Sequence, residues 1–345
     1  MSSTLARPTT ALVRKAITVT LCVAVTASGL AWAAKPGGGG GTTTPWNVRL
    51  YGGGDSIMRG YNASCTGNTS FLDLLCYSGG DQPENSFFSG SSTSVKSLED
   101  YFKAAGATTT SNKNASQSGS EMVGGSNNFA TQAAAIVAAA RAASVNSPVQ
   151  VKIELGGNDI CNRTSTVTMY SDEVWRTAIQ AGLKVLANRE LGIAGLPAGS
   201  SVVLVGVPKV QDLYAVGVAK SNGSTRVNCP SFWETYDVCE IATVNRTFGG
   251  QLLPARLTAV AARQARYNEI LKEEAAAFRS LAGTTGVDVV AETDGTFTAK
   301  SPEVGNYSFT TSEINGGDCF HPSLSGQNKL STVIWGNDPY RVRPQ

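Results

Sequence analysis

Residues 149–159 read VQVKIELGGND, and this segment indicates the fold class more firmly than any other in the chain. Apolar and polar residues alternate along 149–155, which is typical of a β-strand, and two glycines then end the strand. An alanine-rich helical segment precedes it at 127–143, and a mostly helical segment follows at 167–191. A strand between two helices is the repeating unit of a parallel sheet covered by helices.

The same alternation of strands and helices continues on both sides of this segment. Further strands are predicted at residues 46–51, 201–207 and 286–291, with a weaker candidate at 108–115. Further helices are predicted at residues 94–105, 254–281 and 323–335. The sequence therefore predicts an α/β fold with a largely parallel sheet. Such sheets bind their ligands beyond the carboxyl ends of the strands.

The composition excludes several classes of protein. The 345 residues include 28 Lys and Arg against 26 Asp and Glu, so we expect no broad charged surface for nucleic acid or anionic lipid. The hydrophobic fraction of 41% predicts a folded chain rather than a disordered one. His321 is the one histidine, which excludes metal sites built on two or three histidines. Any chemistry that needs an imidazole must therefore use His321.

The N-terminus has the pattern of an export signal. Basic residues without an acidic neighbour precede an apolar run at 16–32, which ends in an Ala-x-Ala cleavage pattern. We predict a signal peptide at 1–33, a Gly/Thr-rich linker at 34–45 and one domain at 46–345 of a secreted protein, extracellular or periplasmic. A membrane anchor is the alternative, but the run is short and contains Thr, Ser and Gly. No stable membrane span is expected after cleavage.

The cysteines agree with export. Cys22 lies within the predicted signal, and six more follow it: Cys65, Cys76, Cys161, Cys229, Cys239 and Cys319. An even number in an exported protein predicts three disulfides, although sequence alone leaves the pairing open. Short loops favour Cys65–Cys76 and Cys229–Cys239. The remaining pair would then be Cys161–Cys319, and buried free thiols are the alternative.

Three polar motifs adjoin the predicted elements. They are Gly54-Asp55-Ser56 after the first strand, Gly156-Gly157-Asn158-Asp159 after the strand at 149–155, and Asp318-Cys319-Phe320-His321 near the C-terminus. Each has an ordinary interpretation when it is taken singly. Ser56 could be a helix N-cap, Asn158 a turn residue and His321 a surface or core histidine.

In combination, these residues fill the roles of a serine hydrolase site. A serine hydroxyl needs a general base, and imidazole exchanges protons near neutral pH. A carboxylate must hold the imidazole in the useful tautomer, and Asp318 lies three residues before His321. The oxyanion needs N–H donors, which backbone amides and the side chain of Asn158 can supply.

The motifs resemble the signature blocks of a known family. Gly54-Asp55-Ser56-Ile57, Gly157-Asn158-Asp159 and Asp318-x-x-His321 resemble three blocks of the SGNH/GDSL hydrolases, in the family's order. The fourth block is a glycine in a loop after the second strand. It resembles residues 114–120, which points to Gly119. Ile57 stands where the family more commonly has leucine.

This resemblance implies a fold and a set of roles. The implied fold is a flavodoxin-like three-layer α/β/α sandwich with about five parallel strands, and no cofactor is implied. Ser56 would be the nucleophile, His321 its base and Asp318 the residue that orients the base. The oxyanion hole would consist of the backbone N–H groups of Ser56 and Gly119 and the side-chain amide of Asn158.

The predicted function is a secreted serine ester hydrolase that cleaves acyl esters through an acyl-enzyme. Finer resemblances, such as the run 318–323, point to a lipase, an esterase, or a phospholipase B or acyloxyacyl-hydrolase-like branch. Two alternatives stay open: a carbohydrate acetyl esterase, and a non-catalytic glycan- or lipid-binding module on the same scaffold. The expected partner is a small-molecule or lipid ester, with no metal and no nucleic acid. The oligomeric state is left open, with a monomer preferred.

Aromatic residues in loop-like segments are candidates for an acyl pocket, although ordinary packing is the preferred interpretation. They are Tyr77, Phe87, Phe88, Trp233 and Tyr236.

Overall fold

The computed structural model describes residues 46–67, 80–109, 113–187, 194–224, 226–292 and 303–341. The predicted signal peptide at 1–33 and the predicted linker at 34–45 lie outside the described residues. Within the described ranges, no helix is both long and apolar enough to cross a lipid bilayer.

The described residues contain seven β-strands. In chain order they are β1 (Trp46–Val48), β2 (Leu50–Gly54), β3 (Ala107–Thr109), β4 (Lys113–Asn114), β5 (Gln150–Glu154), β6 (Ser200–Leu204) and β7 (Val287–Ala291). Five of these form a parallel sheet in the order β4-β2-β5-β6-β7, and β1 pairs with β3 in a separate parallel ribbon. The predicted α/β class with a parallel sheet is confirmed.

The strand order creates a crevice at one point of the sheet. Along the chain, the five sheet strands lie in the order second, first, third, fourth, fifth, which is the flavodoxin-like arrangement. The connections leave β2 and β5 in opposite directions, and a crevice opens beyond the carboxyl ends of these two strands. Ser56 follows β2 and Asn158 follows β5, so the topology directs both to this crevice.

Among the described residues, ten α-helices surround the sheet. They are α1 (Leu98–Ala104), α2 (Phe129–Ala143), α3 (Gly157–Cys161), α4 (Asp172–Ala187), α5 (Leu213–Asn222), α6 (Cys229–Tyr236), α7 (Glu240–Thr243), α8 (Leu253–Arg279), α9 (Ala282–Thr285) and α10 (Leu324–Asn337). Short 3₁₀ turns lie at Pro83–Asn85, Thr166–Thr168, Val210–Asp212 and Val304–Asn306.

Two apolar clusters show the layers of the sandwich. Successive side chains of a strand point to opposite faces of its sheet. Tyr51 therefore joins the cluster that includes α2, α4 and α8, whereas Leu50 joins the cluster that includes α1 and α10. In the first cluster, the rings of Trp175 and Tyr267 stack with 3.9 Å between their centroids. The chain thus has the three-layer α/β/α arrangement that the resemblance implied.

Several predicted elements differ in extent from the observed ones. The predicted helix at 94–105 begins at Leu98, because Ser97 and Asp100 form a reciprocal capping box. The predicted helix at 167–191 begins only at Asp172. The first predicted strand is divided into β1 and β2, and the weak candidate at 108–115 is divided between β3 and β4.

The sequence did not predict helices α5, α6 and α7. Gly217 interrupts the apolar pattern of α5, and its missing side chain leaves room for the ring of Trp233 from α6. Helix α6 is followed by Asp237, whose backbone is in the left-handed region, and Cys239 adopts the same conformation before α7. Short helices separated by such turns show little periodicity along the sequence.

Candidate active site

The turn after β2 presents Ser56 at the edge of the sheet. The Oδ1 atom of Asp55 accepts a hydrogen bond from the N–H of Ile57 at 2.8 Å, which starts the turn. Gln132 on α2 holds the end of the strand, because its Oε1 accepts the N–H of Gly54 at 2.7 Å and its Nε2 donates to the carbonyl of Gly54 at 3.0 Å. Ser56 is thereby fixed in a position that is only 6% exposed.

His321 lies directly beside this serine. Its Nε2 is 2.8 Å from Oγ of Ser56, and its Nδ1 is 2.9 Å from Oδ2 of Asp318. When Nδ1 carries the proton and donates it to Asp318, Nε2 is free to accept the hydroxyl proton of Ser56. The structure therefore brings together the three residues for which the sequence predicted a serine–imidazole–carboxylate relay.

Asp318 is buried among donors. Its Oδ1 accepts the N–H groups of Phe320 and His321 at 2.8 and 2.9 Å, and its Oδ2 accepts Nδ2 of Asn62 at 2.8 Å. Burial alone would raise the pKa of Asp318, but the interactions with His321 and Asn62 outweigh it and lower the pKa to about 2. Asp318 is therefore ionised near neutral pH and able to hold the imidazole ring.

Two aromatic rings flank His321. The ring of Tyr61 lies 4.7 Å from it between centroids, and the ring of Phe320 meets it edge-on at 4.8 Å. The N–H of Tyr61 donates to the carbonyl of Ser56 at 3.0 Å. The turn that presents Ser56 therefore also packs against the imidazole and limits its rotation.

Asn158 meets the loop of Gly119 next to this turn. Its Nδ2 donates to the carbonyl of Ser120 at 3.0 Å, and it lines the same groove as Ser56. The N–H of Gln117 donates to the last carbonyl of β2 at 3.2 Å, which fixes the loop to the carboxyl end of that strand. Gly119 has φ 81°, a backbone conformation that favours glycine. All three predicted oxyanion residues thus belong to one corner of the crevice.

Gly156 allows the chain to turn from β5 into α3. Its φ is 126°, and a Cβ atom there would lie 2.6 Å from Val207 and 3.0 Å from the ring of Trp175. A side chain at this position would collide with both. The first glycine of the motif is therefore required for Asn158 to reach the crevice.

Asp159 ties α3 to the loop that follows Gly119. Its buried carboxylate accepts the N–H groups of Met122 and Val123 at 2.7 and 3.0 Å. Burial raises the pKa of Asp159 to about 7, although these hydrogen bonds act against it. The carboxyl of Asp159 is thus engaged by the backbone and fixes the geometry around Asn158.

An apolar groove adjoins Ser56. Its polar end is formed by Asp55, Ser56, Gly157 and Asn158, with Lys209 also in its wall. The remaining described residues of the lining are apolar: Ile57, Pro208, Val210, Leu213, Phe309, Ile314, Phe320 and Pro322. An aliphatic group bound at this wall would lose its contact with water at little cost in polar desolvation.

The four described aromatic residues among the acyl-pocket candidates do not line this groove. Phe87 and Phe88 are fully buried in the cluster with α1 and α10, and Trp233 packs against Cys229 and Cys319. Tyr236 is exposed, and Tyr77 lies outside the described residues. The preferred interpretation, ordinary packing, is confirmed for the three buried rings.

The disulfide pairing differs from the predicted one. Cys161 is bonded to Cys239, and Cys229 is bonded to Cys319. The predicted bonds Cys229–Cys239 and Cys161–Cys319 are therefore wrong. The physical reason is that the segment between Cys229 and Cys239 is not a flexible loop, because helix α6 occupies most of it and holds the two cysteines apart.

The two observed bonds brace the two halves of the site separately. Cys161 ends α3, and Cys319 lies in the loop of His321. Both are bonded to the segment of α6 and α7 rather than to each other, so this unpredicted segment supports both α3 and the loop of His321. The pairing of Cys65 with Cys76 stays a prediction, because Cys76 lies outside the described residues.

Sequence reasoning missed Asn62 as a residue of the site. Besides its bond to Asp318, Asn62 accepts the N–H of Gly80 at 3.1 Å through Oδ1. Its φ of 53° is tolerated by asparagine better than by most residues. Neither property has a signature in the sequence, because Asn62 and Asp318 are brought together only by the fold.

Comparison with known proteins shows the family of this chain. The family model described as GDSL-like Lipase/Acylhydrolase matches residues 54–334. A search of curated protein sequences finds no significant match. Among solved structures, the chain is similar to an active-site mutant of a family two carbohydrate esterase from Clostridium thermocellum, in complex with celluohexase. That match has 11% identity and a TM-score of 0.40, and it covers 85% of this chain and 63% of the other. The chain thus spans less than two thirds of that structure's length, and such a likeness supports no inference about substrate.

Proposed function

The chain belongs to the GDSL-like lipase/acylhydrolase family and is a serine ester hydrolase, and on this basis we propose that Ser56 is its nucleophile. The observation that carries the proposal is the pair of distances at His321: 2.8 Å from Nε2 to Ser56 and 2.9 Å from Nδ1 to Asp318. A serine hydroxyl without such a base is a weak nucleophile. Binding without catalysis does not require a general base aligned with a serine hydroxyl, so this alignment supports an enzyme over a non-catalytic binding module.

In the acylation step, Oγ of Ser56 forms a bond to the ester carbonyl carbon while Nε2 of His321 takes the hydroxyl proton. The oxyanion that develops accepts hydrogen bonds from the N–H groups of Ser56 and Gly119 and from the amide of Asn158. The oxyanion then re-forms the carbonyl, the bond to the alcohol oxygen breaks, and this oxygen takes the proton from Nε2 as the alcohol leaves. The acyl group remains bonded to Oγ.

In the deacylation step, a water molecule occupies the place of the alcohol. His321 takes a proton from this water as its oxygen attacks the acyl carbon. The bond to Oγ of Ser56 breaks, the proton returns to that oxygen, and the carboxylic acid leaves. The ionised Asp318 stabilises the imidazolium that forms in both steps.

The apolar groove supports an aliphatic acyl ester as substrate, which is the chemistry of a lipase or an esterase. Val210, Leu213, Phe309 and Ile314 extend the groove beyond the polar residues around Ser56. A longer aliphatic chain can contact more of this apolar lining than an acetyl group can. The lining therefore supports a longer acyl chain over the acetyl ester of a carbohydrate.

We expect kcat/KM to rise with acyl length in a series of p-nitrophenyl esters from acetate to octanoate. Each buried methylene contributes about 0.8 kcal/mol, which corresponds to about fourfold in kcat/KM. Val210→Phe fills part of the groove and should move the optimum to shorter chains. The matched control is Val145→Phe, since Val145 is 54% exposed and is not part of the groove lining. A sharp preference for acetate in the wild-type enzyme would instead support the carbohydrate esterase.

We also propose that the enzyme is exported. The export pattern at residues 1–33 and the bonds Cys161–Cys239 and Cys229–Cys319 support this, because disulfides persist in oxidising compartments. N-terminal sequencing of protein recovered outside the cytoplasm should begin at Ala34. A protein that stays in the cytoplasm with residues 1–33 attached would contradict export.

A further inference from the structure

A buried carboxyl group lies behind the nucleophile without a role in the mechanism described so far. Glu154 is the last residue of β5 and lies opposite Gly54 in the register of the sheet. It is 1% exposed, and within the described residues its carboxyl oxygens have no hydrogen-bond partner of ordinary geometry. An isolated ionised carboxylate in such a place would be very costly. Burial, and next the charge of Asp55, raise the pKa of Glu154 well above its usual value.

Asp55 is the neighbour that can accept a hydrogen bond from a protonated Glu154. It is itself buried, and its side chain interacts with that of Glu154. Its Oδ1 already accepts the N–H of Ile57 at 2.8 Å, which favours its ionised form. Two adjacent buried carboxyl groups do not both ionise readily. Burial raises the pKa of Asp55 as well, to about 6, and that of Glu154 well above its usual value, so near neutral pH the proton resides on Glu154 and the negative charge on Asp55.

The charge on Asp55 is directed at the amide of Asn158. The Nδ2 atom of Asn158 has two hydrogens, of which one is donated to the carbonyl of Ser120 at 3.0 Å and the other to Oδ2 of Asp55 at 3.4 Å. Both partners are acceptors, so the amide nitrogen rather than the amide oxygen is held in this corner. The longer bond is the weaker one, and its hydrogen can be taken over by a developing oxyanion.

We propose that Glu154 is a positioning residue: its carboxylic acid holds the carboxylate of Asp55, and Asp55 in turn holds the amide of Asn158 in its donor orientation. Asp55 thus orients the oxyanion donor Asn158 in the way that Asp318 orients the general base His321. This role of Glu154 rests on the proposed function, because the orientation of Asn158 matters for catalysis only if that amide stabilises an oxyanion.

The test compares Glu154→Leu with Glu154→Gln in the full-length enzyme. Leucine removes the donor to Asp55, and we expect kcat to fall about tenfold while KM changes little, less than the about 10²–10³-fold cost of removing an oxyanion donor outright. Glutamine keeps an N–H that can donate to Asp55 and should restore most of kcat. A kcat for Glu154→Leu equal to that of the wild-type enzyme would overturn the proposal.

A double-mutant cycle with Asn158→Ala shows whether Glu154 acts through that amide. Once Asn158 is alanine, Glu154→Leu should lower kcat no further, because the group it positions is gone. Independent effects that multiply in the double variant would overturn the proposal.

The matched control is Glu292→Gln, which alters a second buried carboxyl group. Glu292 follows β7 and accepts the N–H groups of Gly206 and Val304 at 3.2 and 3.0 Å, without contact to Asn158. This substitution should lower the melting temperature and leave kcat unchanged. The same pattern in Glu154→Leu, a loss of melting temperature alone, would reduce Glu154 to a structural residue and overturn the proposal.

A readout that does not depend on turnover separates this inference from the proposed function. The side-chain amide resonances of Asn158 in a ¹⁵N-edited NMR spectrum should shift in Glu154→Leu and not in Glu292→Gln. Such a shift in an enzyme that hydrolyses no ester would refute the proposed function and support the positioning. Unchanged resonances in an active enzyme would refute the positioning alone.

Discussion

Replacing Ser56 or His321 by alanine is expected to lower kcat for ester hydrolysis by at least about 10⁴-fold, with the fold intact. Ser56→Ala removes the atom that bonds to the acyl group, and His321→Ala removes the base 2.8 Å from it. Because the two act as one unit, the double variant should be no slower than either single one. Steady-state hydrolysis of a p-nitrophenyl ester, with circular dichroism to check folding, measures the effect.

Ser331→Ala is the matched control for this pair. Ser331 is buried, like Ser56, but its hydroxyl donates to the carbonyl of Asn328 within α10 at 2.9 Å. Its replacement should leave kcat unchanged. Since the chain contains one histidine, no other imidazole can replace His321. Near-normal hydrolysis by His321→Ala would therefore end the proposed mechanism.

Asp318→Asn is expected to lower kcat by about 10⁴-fold while KM changes little. The amide is nearly isosteric with the carboxylate, but it lacks the charge that stabilises the imidazolium. In the place of Oδ1, its NH₂ group would face the backbone N–H groups of Phe320 and His321. In the place of Oδ2, it would face both Nδ2 of Asn62 and Nδ1 of His321, which now donate to the carboxylate. The histidine would then be held in the wrong tautomer. A loss of less than tenfold would show that Asp318 does not orient the base.

The stability of Asp318→Asn against pH gives an independent check. A pKa lowered to about 2 means that the ionised Asp318 stabilises the folded chain above pH 3.8, its ordinary pKa, and that this contribution is lost as the pH falls through 2. The difference in unfolding free energy between the wild type and the variant should therefore be full near neutral pH and shrink below pH 4. A difference independent of pH would contradict the assigned ionisation.

The parallel sheet was predictable because its longer strands have alternating or continuous apolar residues. Strands β5 and β7 lie within the predicted segments at 149–155 and 286–291, respectively. Strand β6 overlaps the predicted segment at 201–207. Their boundaries differ from the predicted ones by up to three residues, because strand ends depend on pairing with neighbours. The short ribbon strands were harder to place, since two or three residues carry no periodicity.

The five residues of the candidate active site, including the proposed nucleophile Ser56, were predictable for a related reason. Ser56 and Asn158 follow strongly patterned strands, and parallel strands bring their carboxyl ends to one edge. The contacts of Asn62 with Asp318 and of Glu154 with Asp55 were not predictable, because they join residues whose spacing along the chain carries no signal. The disulfide pairing failed for a similar reason, since it depended on helix α6, which the sequence did not indicate.

Active-site labelling with a serine-directed phosphonate tests most directly whether Ser56 is the nucleophile. The reagent bonds to an activated serine oxygen and expels its leaving group, and peptide mapping then locates the adduct. In the folded wild-type enzyme, one equivalent of phosphonate should be found on the peptide that contains Ser56, hydrolysis should stop in proportion, and Ser56→Ala should take up none. An adduct on another serine, or full hydrolysis by enzyme labelled at Ser56, would contradict the assignment.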